Sequence, residues 1–211
     1  AFVLLGTIGF ASWAHHMFAT GMSFTEKTVF MVGTLAAVPA SSMHVFNWIA
    51  TMWGGRIKFA APMLFGVGGI MLFFASGAGG VVNTAMPLDF ITHDSYFVVG
   101  HFHLLLMGTV SLTFTGFIYY LFPLITGRMY NEKWAKIHFI LAFVGIILVF
   151  TVQHLLGLYG MPRRVFDYVP LPQYIIMNQL ATIGAWIVGP SYIIMIVNLV
   201  KSAASGKPAD M

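Results

Sequence analysis

The sequence predicts an all-α fold, a polytopic transmembrane bundle of about six helices forming a single membrane domain over residues 1–211. Three observations carry that expectation. Of the 211 residues, 59% are hydrophobic and 8% charged, with mean hydropathy +0.87, too few charges to give each helix the solvated face a soluble bundle needs. Apolar stretches of about 20 residues recur, the length that crosses a hydrocarbon core. The remaining charges fall mostly in the short segments between them.

The first stretch, Ala1 to about Ala19, opens inside an apolar run with no Met and no charged leader. It reads as a fragment, a processed chain or half of a split subunit rather than as a signal peptide. The others are Thr28 to Met52, Phe59 to Val82, Tyr96 to Ile125, Ile137 to Leu158 and Tyr174 to Val200. Pro39, Pro62 and the glycines from Gly66 to Gly80 would weaken soluble helices but are tolerated where membrane helices pack closely. Neither a soluble domain nor an internal repeat is visible.

Three segments carry Arg56 and Lys58, then Arg128, Lys133 and Lys136, then Lys201 and Lys207, and the positive-inside bias puts them on the inner side. The outer side then holds Glu26, Lys27, Asp89, Asp94, Arg163, Arg164 and Asp167. The paired arginines run against that bias and imply a local anionic partner. The net charge of +4 is scattered among loops rather than gathered in a stripe, which argues against nucleic acid. Without Cys there is neither a disulfide nor a thiolate metal site, so any metal must be held by His, carboxylate or backbone.

Six of the eight histidines, His15, His16, His44, His101, His103 and His154, lie in or at the ends of apolar spans, where an ionisable group is costly and usually functional. A neutral His bonded to a neighbouring carbonyl is the bland alternative for any one of them. At about 100° per residue, His101 and His103 point roughly 200° apart and can each ligate a different metal on opposite faces of one helix. His93 and Asp94, roughly 10–14 Å nearer the outer surface, can bind a hard divalent ion or form an ordinary loop pair. The adjacent His15 and His16 can meet one metal only if the helix end bends, and imidazole without thiolate suits copper, iron or zinc. Arg163 and Arg164 have the forked geometry to pair carboxylates, although lipid headgroups would also satisfy them.

Taken together, WAHHMF, VFNWIATMWGG, LDFITHDSYFVVGHFH, AKIHF and QHLLGLYGMPRR, in this order, closely resemble subunit I of the haem-copper cytochrome c and quinol oxidases. The resemblance covers essentially the whole chain and implies the C-terminal half of that subunit, the seventh through twelfth helices of a twelve-helix fold. It implies that His15 and His16 are two of three ligands of an active-site copper, that His101 ligates a high-spin haem and that His103 ligates a low-spin haem, with a-type haems expected and types a, b and o sharing the same His ligation. It implies a magnesium site at His93 and Asp94, and contacts from Asp89, Arg163 and Arg164 to the haem propionates. The third copper histidine, its cross-linked tyrosine and the second low-spin ligand belong to helices this chain lacks. Activity would therefore require a partner carrying the N-terminal half, alongside oxidase subunit II.

The implied reaction is reduction of O2 to water with electrons from cytochrome c or quinol, coupled to proton uptake and pumping, in a prokaryotic plasma membrane or the mitochondrial inner membrane. Nitric oxide reduction in the same superfamily and a non-catalytic assembly or transport subunit are the alternatives. One departure stands out. Where the family reads PTGVKVF, this chain reads PASSMHVF, which puts His44 at the place of a proton-conducting lysine, with Ser41 and Ser42 beside it. A proton relay through these residues is the expectation, with a satisfied packing residue as the alternative.

Overall fold

A computed structural model describes residues 1–209. Nine α-helices run through them: α1 (Phe2–Ala11), α2 (Phe24–Leu35), α3 (Ala37–Met52), α4 (Ala61–Thr84), α5 (Met86–Thr92), α6 (Tyr96–His103), α7 (Leu112–Thr126), α8 (Glu132–Leu158) and α9 (Pro172–Ser205). A 3-10 turn at Trp13–Met17 follows α1, and a π-helical stretch at Leu104–Ser111 joins α6 to α7.

Five continuous segments are long and apolar enough to cross a membrane: Phe24–Met52, Ala61–Thr84, Tyr96–Thr126, Glu132–Leu158 and Pro172–Ser205. They correspond to five of the expected stretches. The remaining one differs, because α1 has only 10 residues. Its end is set by Ser12, whose hydroxyl donates to the Ile8 carbonyl at 2.7 Å, competing with regular helical bonding and turning the chain into the 3-10 segment.

Boundaries follow local chemistry. Ser23 and Glu26 form a reciprocal capping box, so α2 starts ahead of the expected Thr28. Pro39 has no N–H for the Leu35 carbonyl and its ring crowds that oxygen, which breaks this span at Ala36. Asn131 accepts from the Trp134 N–H at 3.2 Å and moves the start of α8 out to Glu132. The short helix α5 was not expected; Pro87 sets its first turn.

Glycines then fix how close the helices come. A Cβ on Gly145 would lie 2.9 Å from the Gly184 carbonyl, which lets α8 and α9 meet backbone to backbone. One on Gly157 would overlap the backbone of Phe97, pinning α8 to the start of α6. The main core lies between α4, α7 and α8, where Phe65, Leu112, Tyr119 and Ile146 are fully buried. Large apolar side chains point outward along the spans, as a lipid-facing surface requires.

Candidate functional site

The site is assembled from the end of the 3-10 turn, the midpoint of α4 and the first turns of α6. At about 120° per residue, the 3-10 turn splays successive side chains differently from an α-helix. Here it brings His15 Nε2 and His16 Nε2 to 2.8 Å from each other. Two imidazole nitrogens each about 2.0 Å from one metal and at right angles to each other would sit about 2.8 Å apart. In this structure the same separation is a hydrogen bond between the two rings. His15 Nδ1 lies 3.2 Å from Thr34 Oγ1, whose own hydroxyl donates to the Phe30 carbonyl at 2.7 Å. Thr34 then accepts from His15 Nδ1–H, and the lone pair of His15 stays on Nε2.

His101 is held the same way from the other wall. Its Nδ1 donates to the Ser76 carbonyl at 2.9 Å, and Ser76 Oγ donates back to the His101 carbonyl at 3.1 Å. This anchoring leaves the lone pair on Nε2, an arrangement compatible with metal binding. Gly79 and Gly80 make room for the ring, since a Cβ there would stand 3.2 Å from Nδ1 and 3.1 Å from Cε1 respectively. His103 donates from Nδ1 to the Val99 carbonyl at 3.0 Å and stacks on Phe150 with ring centroids 5.3 Å apart. His101 lines a cavity of about 830 Å³ and His103 does not, so the two face different surroundings, as their spacing predicts.

That cavity is also lined by His15, His16, Asp89, His93, Asp94 and Arg163, and on α3 by Ser41 and Ser42. Its volume lies in the range that holds a cofactor-sized group. At its outer end, His93 bridges two carboxylates, with Nδ1 3.6 Å from Asp89 and Nε2 3.5 Å from Asp94. Arg163 Nε donates to Asp94 Oδ1 at 2.7 Å, so Asp94 is the anionic partner the charge pattern demanded for one of the two arginines. Two backbone bonds, Tyr96 N to Met161 O at 3.0 Å and Arg163 N to Asp94 O at 2.9 Å, zip the loops together. Asp94 (φ 54°) and Arg164 (φ 61°) take left-handed conformations at this junction. Burial pushes the Asp89 carboxyl up to about 6, while the Arg163 hydrogen bond holds Asp94 below the usual carboxylate range.

Other expected residues fall elsewhere. His44 is buried outside the cavity lining, with its ring 4.1 Å from Phe2 and 5.7 Å from Trp48 and with no hydrogen-bond partner on Nε2. Arg164 is likewise off the lining. Among the described residues, no group of three or more His, Cys, Asp or Glu is arranged to hold a metal. His15–His16 and His93–Asp94 therefore stand as pairs, each with fewer donors than a metal site needs. His138 is buried in the core, where its Nδ1 meets Tyr119 OH at 3.1 Å. His154 packs beside His101, a Cβ on Gly79 standing 3.0 Å from its Nε2. Thr34 and Ser76 carry no local signature in the sequence, because each acts on a histidine far from it in the chain.

A polytopic bundle that anchors histidines through Nδ1 and aims them into one cavity defines the class of integral membrane proteins with a buried multi-histidine site. Residues 1–187 match the family described as Cytochrome C and Quinol oxidase polypeptide I, and the chain belongs to that family. It is 42% identical to cytochrome c oxidase subunit 1 of Bacillus sp. (strain PS3), over 100% of this chain and 34% of that protein. It is 41% identical to cytochrome c oxidase polypeptide 1 of Halobacterium salinarum, over 98% of this chain and 34% of that protein. The chain therefore spans about a third of the length of the curated relatives it matches. A solved heme-copper terminal oxidase dimer shares the fold, with TM-score 0.77 at 20% identity over 93% of this chain and 40% of that one. The chain is part of an integral membrane subunit of the respiratory oxidases.

Proposed function

We propose that this chain supplies part of the oxygen-reducing centre of a haem-copper terminal oxidase, as the seventh through twelfth helices of subunit I. The observation that carries this reading is the meeting of His15 Nε2 and His16 Nε2 at 2.8 Å, on the same cavity that receives His101. The donor set fits the groups the family binds: imidazole alone suits copper, and a histidine anchored through Nδ1 would suit holding haem iron.

When bound, two haems and a copper ion supply the electron transfer and the chemistry that reduces O2 to water, with electrons from cytochrome c or quinol. The chain's residues position and insulate. Thr34 and Ser76 keep the protons of His15 and His101 on Nδ1 and the lone pairs on Nε2. Apolar walls from α4 and α6 limit water in the cavity. Arg163 would offer guanidinium donors, and Asp89 a carboxyl, to haem propionates at the outer end, Arg164 would reach them only if its side chain turned toward the cavity, and His93 with Asp94 would offer two of the ligands of a magnesium ion. Ser41 and Ser42 put hydroxyls on the cavity wall, where a proton can be handed inward from the inner side. His44 joins that route only if its side chain turns out from between Phe2 and Trp48.

The test is made on the purified complex by metal analysis and the reduced-minus-oxidised visible spectrum. His101→Leu is expected to abolish the high-spin haem bands and keep those of the low-spin haem. His15→Leu with His16→Leu is expected to remove copper and keep both haems. A complex without haem bands, or without a partner supplying the remaining ligands, sinks the reading, and non-haem iron in place of copper moves it to nitric oxide reduction.

A further inference from the structure

At the opposite end of the bundle from the histidine cavity, the start of α8 and the end of α9 enclose a second cavity of about 740 Å³. Its walls divide by chemistry. Lys133, Lys201 and Lys207 rim it with Trp134 among them, while Ile193 and Val197 continue as an apolar wall along α9. Glu132, the acidic residue on the same lining, already accepts from the Ala61 backbone N–H at 2.8 Å and pairs with Lys136 at 3.6 Å. Among the described residues none of the three rim lysines has an ion-pair partner.

The cavity is braced on two sides. Asn198 accepts from the Asn131 N–H at 3.0 Å and donates to the Asn131 carbonyl at 2.9 Å, tying α9 to the cap of α8. Beyond α9, Gly206 accepts from Arg128 Nη1 at 2.9 Å and Lys207 accepts from Met129 N at 2.8 Å, which fixes the chain that presents Lys207.

We propose that this cavity binds one anionic phospholipid of the inner leaflet, its phosphate among the three lysines and an acyl chain along Ile193 and Val197. The rim lies on the side to which the basic loops orient, at the depth where Trp and Lys meet headgroups. Free phosphate has no use for the apolar wall, on which Ile193 is 61% and Val197 44% exposed beside the half-exposed Trp134. The two parts of the wall match the two parts of a lipid.

The intact oxidase complex, delipidated in neutral detergent, is titrated with phosphatidylglycerol or phosphatidylcholine, and bound lipid is counted by native mass spectrometry. One phosphatidylglycerol is expected to be retained in preference to phosphatidylcholine. Combined Lys133→Ala, Lys201→Ala and Lys207→Ala substitution is expected to weaken that retention about a hundredfold at low salt. Combined replacement by Arg is expected to preserve it, and an unchanged haem spectrum reports that each variant is folded. Equal retention of the two lipids, unchanged affinity in the alanine variant, or displacement of the lipid by an equal concentration of inorganic phosphate overturns the proposal.

Discussion

The two halves of the chain hold their helices together differently. From α4 to α9, Gly68, Gly100, Gly108, Gly145 and Gly157 each leave no room for a Cβ, because a neighbouring side chain or backbone already occupies it. In α1, the following loop and α2, Gly6, Gly9, Gly21 and Gly33 have nothing within 4 Å. No residue of α1 is buried, and Phe2 is 76% exposed. Yet both halves face one cavity, the first through His15 and His16 and the second through His101. One wall of the site is thus positioned by the chain's own packing. The other is packed less closely within the chain, which spans about a third of its relatives' length.

The largest expected effect attacks the tight half. Gly157→Leu puts a side chain where the Phe97 backbone lies, so α6 and α8 must separate. A loss of about 3 kcal/mol or more is expected, read as a lower melting temperature of the complex with loss of both haem signals, since His101 and His103 share α6. A wild-type melt would show that the second half is not locked there. Next comes Tyr119→Phe. It removes the hydroxyl that meets His138 Nδ1 at 3.1 Å in a ring whose Nε2 already lacks a partner. Destabilisation by about 1–3 kcal/mol is expected, and adding His138→Leu should recover part of it in a double-mutant cycle.

Legibility follows the same division. The apolar stretches that became α4, the α6–α7 span, α8 and α9 were visible because lipid imposes length and composition on each segment independently of its neighbours. The end of α1 was not, because it turns on one Ser12 hydroxyl. Of the candidate site, histidine identity and the opposed faces of His101 and His103 could be read from spacing. The bend joining His15 to His16 is set by local hydrogen bonding that no apolar pattern encodes. Ser76 and Thr34 bond histidines across helix interfaces, and helix-to-helix pairing is invisible to a pattern read along one helix. His44 reads as a proton-relay residue by family position, with packing the alternative, and it lies between Phe2 and Trp48 because α1 packs over that face of α3.

At the outer end, the junction of the halves carries two carboxylates of opposite pH behaviour. Asp89 is raised from 3.8 to about 6 by burial. Its stabilising contribution is full below about 4 and is lost as pH rises through 6, because the buried carboxylate is worse solvated than the acid. Asp94, held low by Arg163, does the reverse, contributing above its ordinary pKa of 3.8 and losing that contribution as pH falls through its lowered value. Between pH 4 and 6, the Asp89 component falls with a slope no steeper than about 1.4 kcal/mol per pH unit, while His15, lowered to about 4 by burial, titrates in the same window with the opposite sign. Melting temperature measured across that window in the wild type, minus that of Asp89→Asn, should fall as pH rises. An unaltered slope in the variant would remove Asp89 as its source.

The smallest expected effect sharpens the comparison most. Gly33 lies inside α2, where a Cβ would meet nothing within 4 Å of the chain's own atoms. Gly33→Ala should therefore gain helix propensity without a steric cost, raising stability by about 0.5–1 kcal/mol at most. Measured on the whole complex, that gain would mean that α2 meets lipid or open space at Gly33. A loss of about 1 kcal/mol or more would mean that a neighbouring helix comes as close there as α9 comes to Gly145, and that the loose half is tight in its assembly. His15 and His16 would then owe their geometry to that neighbour as much as to the turn that brings them together.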